Sequence, residues 1–227
     1  MQKGAQFQVD SQTGMAIEHS HYEYRDNRES CAHDYLLPSL FREIRAISRG
    51  KSLNIVDLGC GNGSVAAKIA AQGHTVTGID VSLDGIAIAR ASFPGVSYHV
   101  GSVYDDDLLT KIGGSVDCVV SLEVVEHLFF PKKLFEQSYR LVVDGGALIV
   151  STPYHGYLKN LALSVTNGWD RHFGVDWDGG HIKFFSKTTL AQMASNAGFV
   201  KIRFFPVGRF AGLWKAMIMV AEKRNNK

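Results

Sequence analysis

Apolar residues along the chain switch between two spacings, and the switching predicts strands separated by helices. Short apolar runs typical of strands cover residues 54–58, 74–80, 96–103, 116–122 and 147–151. Apolar positions three and four residues apart predict helices in the second half of 19–49 and over 65–71, 82–92 and 132–143. Strands that alternate with helices in this way indicate a parallel sheet, with right-handed crossovers that place helices on both faces.

The C-terminal part of the chain breaks this alternation. A helix predicted over 187–196 is followed by two strand-like runs, 200–207 and 213–222, with no helix between them. Both cannot be parallel to the sheet through normal crossovers, so we expect one to be antiparallel. Residues 153–180 also fit no alternation and are too long for an ordinary connection, so we expect them to cover a site.

Composition and charge exclude several classes of protein. The chain has 227 residues, with 24 Lys and Arg against 22 Asp and Glu, and this balance argues against a nucleic-acid partner. Three cysteines without CxxC spacing indicate reduced thiols. We see no signal peptide and no apolar stretch of the ~20 residues that a membrane helix needs. We therefore predict a cytoplasmic protein without an integral membrane segment.

The first candidate for chemistry is the glycine-rich run Asp57-Leu-Gly-Cys-Gly-Asn-Gly63, which joins the first strand to the first helix. Glycines let a backbone turn sharply and approach a ligand beside a helix N-terminus. Ser64 stands where a dinucleotide fingerprint has its third glycine, and no P-loop Gly-Lys-Ser/Thr follows. Asp80 ends the next strand, where a carboxylate accepts ribose hydroxyls. Asp57 would attract a cation and repel a pyrophosphate, so the run predicts a positively charged nucleoside.

Together these residues resemble the class I S-adenosylmethionine-dependent methyltransferases, whose cofactor carries an ammonium and a sulfonium on an adenosine. Four motifs appear in the family's order: Ile55-Val-Asp-Leu-Gly-Cys-Gly-Asn-Gly, Gly78-Ile-Asp-Val-Ser, Val116-Asp-Cys-Val-Val-Ser-Leu-Glu-Val-Val-Glu-His and Asp144-Gly-Gly-Ala-Leu-Ile-Val. The resemblance implies an α/β fold with a Rossmann-like, seven-stranded, mostly parallel sheet, its last strand antiparallel and helices on both faces.

The resemblance also implies a division of the single domain, 1–227, into four parts. Residues 1–50 would form an N-terminal cover helix, and 51–152 the cofactor-binding half. Residues 153–183 would be a lid insertion, and 184–227 the C-terminal helix and strand pair. Tyr24 and Arg25 precede the cover helix, in a region that often closes over the cofactor in this family.

Individual cofactor contacts follow from the same resemblance. Asp57 would lie near the ammonium, Asp80 would accept the ribose hydroxyls and Val81 would pack on the adenine. Ser102 stands where many members have an Asp that holds the adenine amino group, so that contact falls to Ser102 or to the backbone of Val103. The predicted cofactor-binding residues are Asp57, Gly59, Cys60, Gly61, Asp80, Val81, Ser102, Val103, Ser121, Leu122 and Glu123.

Glu123, Glu126 and His127 follow the fourth strand, and three interpretations of them stay open. His127 could be a general base, because imidazole titrates near neutrality. The glutamates could instead bind a divalent ion that lowers the pKa of an acceptor hydroxyl. In the third interpretation Glu126 and His127 only cap the next helix. We take His127, Glu123 and His181 as the candidate catalytic residues and do not expect a metal.

The layout after the fifth strand is similar to that of ubiquinone-pathway O-methyltransferases. The counterparts here are Ser151-Thr152, the insertion 154–180 and His181-Ile-Lys-Phe-Phe-Ser. In that subfamily the insertion contacts lipid and the acidic motif holds a metal, but the insertion here has a different sequence. Aromatic side chains in it would suit a flat acceptor: Tyr154, Tyr157, Trp169, Phe173 and Trp177.

We therefore predict S-adenosylmethionine-dependent methyl transfer to a small-molecule acceptor, at a hydroxyl oxygen and by in-line displacement. The near-zero net charge fits a neutral or weakly charged acceptor, with aromatic compounds among the candidates. The alternatives are transfer to nitrogen or carbon, an NAD-dependent reductase, and a nucleoside-binding module without enzymatic activity. Peripheral membrane contact through the lid is a further option.

Overall fold

The computed structural model describes residues 7–9, 16–18, 24–28, 32–173, 180–209 and 213–225. Within these ranges most of the chain lies in regular elements. The strands are β1 (Phe7–Val9), β2 (Ala16–Glu18), β3 (Asn54–Leu58), β4 (Thr75–Asp80), β5 (Ser97–Val100), β6 (Val116–Leu122), β7 (Val142–Pro153), β8 (Phe199–Val207) and β9 (Ala216–Lys223). The helices are α1 (His33–Ser48), α2 (Ser64–Ala70), α3 (Leu83–Ser92), α4 (Leu108–Lys111), α5 (Lys132–Leu141), α6 (Tyr157–Val165), α7 (Trp169–Phe173) and α8 (Lys187–Asn196), with a 3₁₀ turn at Val125–His127.

Seven strands form the main sheet in the order β5-β4-β3-β6-β7-β9-β8. Strands β3 to β7 are parallel to one another, whereas β9 is antiparallel to both β7 and β8. This confirms the predicted fold class, including the antiparallel last strand. The chain moves outward from β3 to β5 and then returns to β6, so the strand order reverses between β3 and β6. In open parallel sheets ligands bind at such a reversal, beyond the carboxyl ends of the strands.

Alternate residues of the central strands supply two hydrophobic cores, one on each face of the sheet. Ile55 packs in the core formed with α1, α2 and α3, whereas Val56 packs in the core formed with α4, α5 and α8. Both faces of β3 are apolar because both are covered, as is usual for parallel strands. The helices on both faces confirm the layering predicted from the alternation.

The third predicted strand is too long at its C-terminal end. It was expected to reach residue 103, but β5 ends at Val100. The chain turns there because the carboxylate of Asp105 accepts a 3.0 Å hydrogen bond from the N–H of Ser102. A local side-chain contact therefore replaces the strand pairing.

The fifth predicted strand starts too late. Its expected start was residue 147, but Val142 already pairs with Val116, and pairing resumes after a bulge where Ala147 meets Cys118. The Asp144-Gly-Gly turn is this bulge. The helix predicted over 132–143 consequently ends at Leu141.

Other elements were not predicted from the sequence. An antiparallel pair, β1 and β2, precedes α1, and the insertion after β7 contains α6 and α7. No residue of α6 is buried, and it exposes Tyr157, Leu158 and Val165. Trp177 lies outside the described residues, as does the side chain of Phe173. In the described part of the chain, every helix is too short or too polar to cross a membrane.

Candidate functional site

A cavity of about 1610 Å³ opens along the carboxyl ends of β3, β4 and β6, where the strand order reverses. A site for one small molecule measures about 300–1,000 Å³, so this cavity has room for two ligands. All but one of the predicted site residues line it. They are Asp57, Gly59, Cys60, Gly61, Asp80, Val81, Ser102, Val103, Leu122, Glu123, His127 and His181.

Ser121 is the exception, since it does not line the cavity. It is fully buried and is not among the described residues that line the cavity. Its hydroxyl donates a 2.8 Å hydrogen bond to the carbonyl of Leu58. Ser121 therefore joins β6 to β3 beneath the cavity floor.

The glycine loop crosses from the end of β3 to the end of β4. The N–H groups of Gly59 and Cys60 both donate to the carbonyl of Ile79, at 2.7 and 3.0 Å. Gly59 has φ 84°, and a Cβ there would come within 2.3 Å of the Val124 side chain. Both the backbone conformation and the close contact require glycine, so the loop can pack directly under the turn after β6.

Asp80 holds the far side of this loop. Its carboxylate accepts 2.8 Å hydrogen bonds from the N–H of Gly61 and from the N–H of Ser82. Ser82 in turn caps α3, accepting from the N–H of Gly85 at 3.0 Å. Burial raises the pKa of Asp80, while the hydrogen bonds from these backbone groups oppose the rise. The carboxylate is thus fixed in place at the edge of the cavity.

Asp57 lies on the cavity floor and lacks part of its hydrogen bonding. It is only 2% exposed, and its Oδ2 atom accepts no hydrogen bond. Burial, and then the charge of Asp80, raise the pKa of Asp57 from 3.8 to about 7. A buried carboxylate oxygen without a donor is costly, so this atom marks a place where a ligand's donor would bind favourably.

The segment 24–28 lies against the glycine loop. The side-chain amide of Asn62 donates to the carbonyls of Asp26 and Arg28, at 3.0 and 2.8 Å. Tyr24 lies over Gly61, where an added Cβ would come within 2.3 Å of the tyrosine hydroxyl. Tyr24 and Arg25 both line the cavity. The residue that ties this segment to the loop, Asn62, was not singled out from the sequence, although it stands inside the glycine motif.

Ser102 and Val103 are buried in the wall beyond β5. The hydroxyl of Ser102 accepts a 3.2 Å hydrogen bond from the N–H of Tyr104. Asp105, which turns the chain here, is held by Lys111 at 2.7 Å. The wall at this end of the cavity is therefore braced by its own short-range polar contacts.

Glu123 follows β6 with a left-handed backbone, φ 54°, which is rare for a residue other than glycine. The conformation is held by Ser151, whose hydroxyl donates to the Glu123 carboxylate at 2.7 Å and accepts from the Glu123 N–H at 3.0 Å. Burial raises the pKa of Glu123 to about 7, and the Ser151 hydrogen bond opposes the rise. Backbone strain supported in this way is typical of functional sites.

Glu126, His127 and His181 form a cluster at the same edge, each with one ligand-type atom within 4.8 Å of the others. Glu126 is 1% exposed, and within the described structure its carboxylate oxygens have no close hydrogen-bond partner. Burial, and then the charge of Glu123, raise its pKa well above the usual range, while the side chain of Thr152 acts to lower it. The trio expected from the sequence was Glu123, Glu126 and His127, but His181 takes the place of Glu123, which is engaged by Ser151.

Backbone contacts bring His181 to this position. The N–H groups of Ile182 and Lys183 donate to the carbonyl of Glu126, at 3.0 and 3.1 Å. The ring of His127 packs against that of His181 with 4.9 Å between centroids, and its Nδ1 lies 3.2 Å from the carbonyl of Gly180. Because a carbonyl can only accept, we assign the proton to Nδ1, which leaves the lone pair on Nε2.

The insertion closes the other side of the cavity with histidines and a lysine. Burial, followed by nearby positive groups, lowers the pKa of His155 and of His181 to about 4. The Nζ of Lys159, on α6, donates to the carbonyl of Tyr154 at 3.1 Å. Lys159 was not identified as a site residue from the sequence, although a lysine in an otherwise apolar helix is a visible signal.

Comparison with known proteins supplies the family. The family model for the methyltransferase domain matches residues 21–203. A protein from Thiobacillus denitrificans named ubiquinone biosynthesis O-methyltransferase is 32% identical over 160 residues, which cover 69% of this chain and 67% of that protein. One of the same name from Caulobacter sp. is 34% identical over 116 residues, 50% of this chain and 46% of that protein. The chain spans about half the length of most of the curated relatives it matches.

A solved structure agrees in fold. The magnesium protoporphyrin IX methyltransferase of Synechocystis PCC 6803, with bound S-adenosylhomocysteine, superposes with a TM-score of 0.63 at 18% identity. The superposition covers 83% of this chain and 82% of that one. The family model matches most of the length of this chain, and the sheet order and the glycine loop agree with it. The chain therefore belongs to the class I S-adenosylmethionine-dependent methyltransferases.

Proposed function

We propose that this chain transfers a methyl group from S-adenosylmethionine to a hydroxyl oxygen of a small-molecule acceptor. The observation that carries the proposal is the buried Oδ2 of Asp57, a residue that lines the cavity beside the glycine loop. Within the described structure this oxygen accepts no hydrogen bond. An ammonium group would supply both the charge and the donor that this oxygen lacks. The ubiquinone biosynthesis O-methyltransferases among the relatives support oxygen as the acceptor atom.

The residues of the cavity fit the rest of the cofactor. Each oxygen of Asp80 accepts one backbone hydrogen bond and keeps a lone pair for a ribose hydroxyl. Val81, Val103 and Leu122 offer apolar surface for a flat base. When bound, the cofactor supplies a methyl group made electrophilic by the sulfonium. The tasks of the chain are to hold the acceptor in line with that methyl group and to remove its proton.

His127 is our candidate for the group that takes the proton. Its Nδ1 is held by the Gly180 carbonyl, so Nε2 can accept a proton from a hydroxyl in the cavity. His181 would act differently, because a pKa of about 4 keeps it neutral and makes it a weak base. We assign His181 to orienting the acceptor. Glu123, with its pKa near 7, is the second candidate for the base.

A divalent ion is a second way to activate the acceptor. The cluster of Glu126, His127 and His181 offers one carboxylate and two imidazoles, a donor set that suits Zn²⁺ and similar ions. The two oxygens of Glu126 without hydrogen-bond donors fit such an ion. An ion held there would supply Lewis acidity and lower the pKa of the acceptor hydroxyl.

The test measures methyl transfer from S-adenosylmethionine to a panel of catechols, hydroquinones and aromatic amines, read by mass spectrometry. We expect methylated products from the hydroxyl compounds, and from these alone. Transfer to the amines only would reject oxygen as the acceptor atom. His127→Gln should lower kcat by about a hundredfold or more, since general-base catalysis contributes 10²–10⁴-fold. His99→Gln, on β5 and outside the lining of the cavity, is the matched control.

Metal content separates the two mechanisms. If His127 is a base without an ion, the purified protein contains no stoichiometric metal by elemental analysis, and chelators leave activity unchanged. If the cluster holds an ion, Glu126→Gln lowers the metal content and the activity together.

A further inference from the structure

The walls of the cavity differ in charge. Three of its carboxylates, Asp57, Asp80 and Glu123, lie at the carboxyl ends of β3, β4 and β6. Another wall, which we call the lid-side wall, is built from lining residues between 153 and 172 and from residues 209 and 213–215. Its described lining residues include Lys159, Arg209 and Lys215 and contain no carboxylate.

Lys159 and Arg209 both line this cavity, and within the described part of the chain neither has an acidic partner. Lys159 is half-buried, and the only hydrogen bond of its Nζ within the described structure goes to the Tyr154 carbonyl. Among the residues that the structure describes, no carboxylate lies within ion-pair distance of Lys159 or Arg209. Burial, and then the charge of Arg209, lower the pKa of Lys159. The positive charge of Arg209 therefore makes the charged form of Lys159 less favourable.

The histidines of the lid-side wall do not change its net charge at pH 7. His155 has a pKa of about 4 and is neutral at pH 7. The charge of Lys159 is one of the causes that lower the pKa of His155, His172 and His181, each after burial. The net positive charge of this wall therefore comes from Lys159, Arg209 and Lys215. The ammonium of Lys215 lies over the ring of Tyr35, 5.0 Å from its centroid, and the neutral imidazoles lie beside Lys159 as hydrogen-bonding groups.

We infer that Lys159 and Arg209 form a subsite for an anionic group, a carboxylate or a phosphate, carried by the methyl acceptor. The inference rests on the proposed function, since it assigns the lid-side wall to the acceptor. Such an anion would supply the counter-charge that the described residues do not, through charge-assisted hydrogen bonds. It would also replace the earlier expectation of a neutral acceptor, because the charge of the whole chain does not report the charge of one wall.

The test uses three small probes: benzoate, phenyl phosphate and benzamide, the last a neutral analogue of benzoate of nearly the same shape. Each is titrated into the full chain saturated with S-adenosylhomocysteine, and binding is followed by NMR of the histidine ring protons. We expect one or both anions to bind at least about tenfold more tightly than benzamide, as expected for a charge-assisted contact. The stronger of the two anions identifies the group. The pKa of His155 should rise when an anion binds, because the anion offsets the charge of Lys159.

Lys159→Met and Arg209→Met keep most of the side-chain volume and remove the charge. Each should lose most of the preference for the anions, whereas the control Lys187→Met, at the exposed start of α8, should keep it. Equal binding of the three probes, no binding of any of them, or a preference that survives Lys159→Met overturns the subsite. The titrations are repeated without S-adenosylhomocysteine. Failure of that ligand to bind would contradict the proposed function alone, and the probe series would still decide the subsite.

Discussion

Asp57 and Asp80 lie at the ends of neighbouring parallel strands, and the charge of Asp80 helps raise the pKa of Asp57 to about 7. Asp80 is satisfied by two backbone N–H groups, whereas Asp57 has an oxygen with no hydrogen bond. The two carboxylates therefore differ in role although they share one cavity. Asp80 is already fixed in position, and Asp57 is the group whose ionisation a bound cation would change.

Cofactor affinity should depend on pH around the pKa of Asp57. An ammonium binds the ionised carboxylate, so affinity should be constant well above pH 7. It should fall by up to about tenfold for each pH unit below 7, because binding must then release one proton. Calorimetric titration with S-adenosylhomocysteine between about pH 5.5 and 8.5, in buffers of different ionisation enthalpy, measures both the affinity and the proton release.

The control for this prediction is Asp57→Asn. The variant should bind more weakly at pH 8, and the change in affinity near pH 7 should disappear. An unchanged pH profile in the variant would mean that another group, such as Asp80, is responsible.

The same pKa predicts the effect of Asp57 on stability. Because the folded-state pKa lies above the ordinary value of 3.8, the ionised carboxylate destabilises the apo protein. The penalty is absent below about pH 3.8, grows as the pH rises, and is complete above about pH 7. Asp57→Asn should therefore raise the free energy of unfolding at pH 8 by on the order of 2–4 kcal/mol, and should leave it nearly unchanged at pH 4. Thermal unfolding of the apo protein at both pH values measures this, and a stabilisation of equal size at pH 4 and pH 8 would refute it.

Much of the fold could be predicted because the apolar patterns of the sheet are local. Each strand from β3 to β7 is a short apolar run of its own, and α8 matches its predicted span, 187–196, at both ends. The errors occur where a tertiary contact overrides the local pattern. Asp105 ends β5 early, and the pairing of Val142 with Val116 extends β7. Helix α6 was missed although Leu158, Leu161 and Val165 follow helical spacing, and the structure leaves this apolar stripe exposed.

Some residues of the candidate site could be predicted from the sequence, and others could be identified only from the structure. Residues inside the family motifs, such as Asp57, Asp80 and Glu123, could be named because the motifs fix them next to the strand ends. The motif position of Ser121 does not show that its hydroxyl donates to the carbonyl of Leu58, and only the structure reveals this contact. Lys159 and Arg209 come from segments about 50 residues apart, and only the folded chain brings them to one wall.

Gly59 should tolerate no side chain, for two reasons that a control can separate. Gly59→Ala meets both a left-handed backbone, φ 84°, and the side chain of Val124, whereas Gly73→Ala meets a similar backbone, φ 92°, in open space. Backbone strain alone costs about 1–2 kcal/mol. We expect chemical denaturation to show about that loss for Gly73→Ala and a larger loss for Gly59→Ala. Binding of S-adenosylhomocysteine should persist in Gly73→Ala and be lost in Gly59→Ala. Equal losses of stability in the two variants would contradict the steric role of Val124.

Asn62 should control how long the cofactor stays bound, because it holds the segment 24–28 against the glycine loop. Its amide donates to the carbonyls of Asp26 and Arg28, and its Oδ1 accepts from the N–H of Ser64 at 3.3 Å. Asn62→Asp keeps the acceptor and removes both donors, so it tests the two contacts with the segment. We expect hydrogen exchange over 24–28 to accelerate and the dissociation rate of S-adenosylhomocysteine to rise by about tenfold, as for the loss of about 1.4 kcal/mol. Asn62→Ala removes the Oδ1 acceptor as well, so it should raise the dissociation rate by the same factor if the two amide donors, and not Oδ1, hold the segment 24–28. A normal dissociation rate in both variants would show that Tyr24 and its neighbours are held over the loop without Asn62.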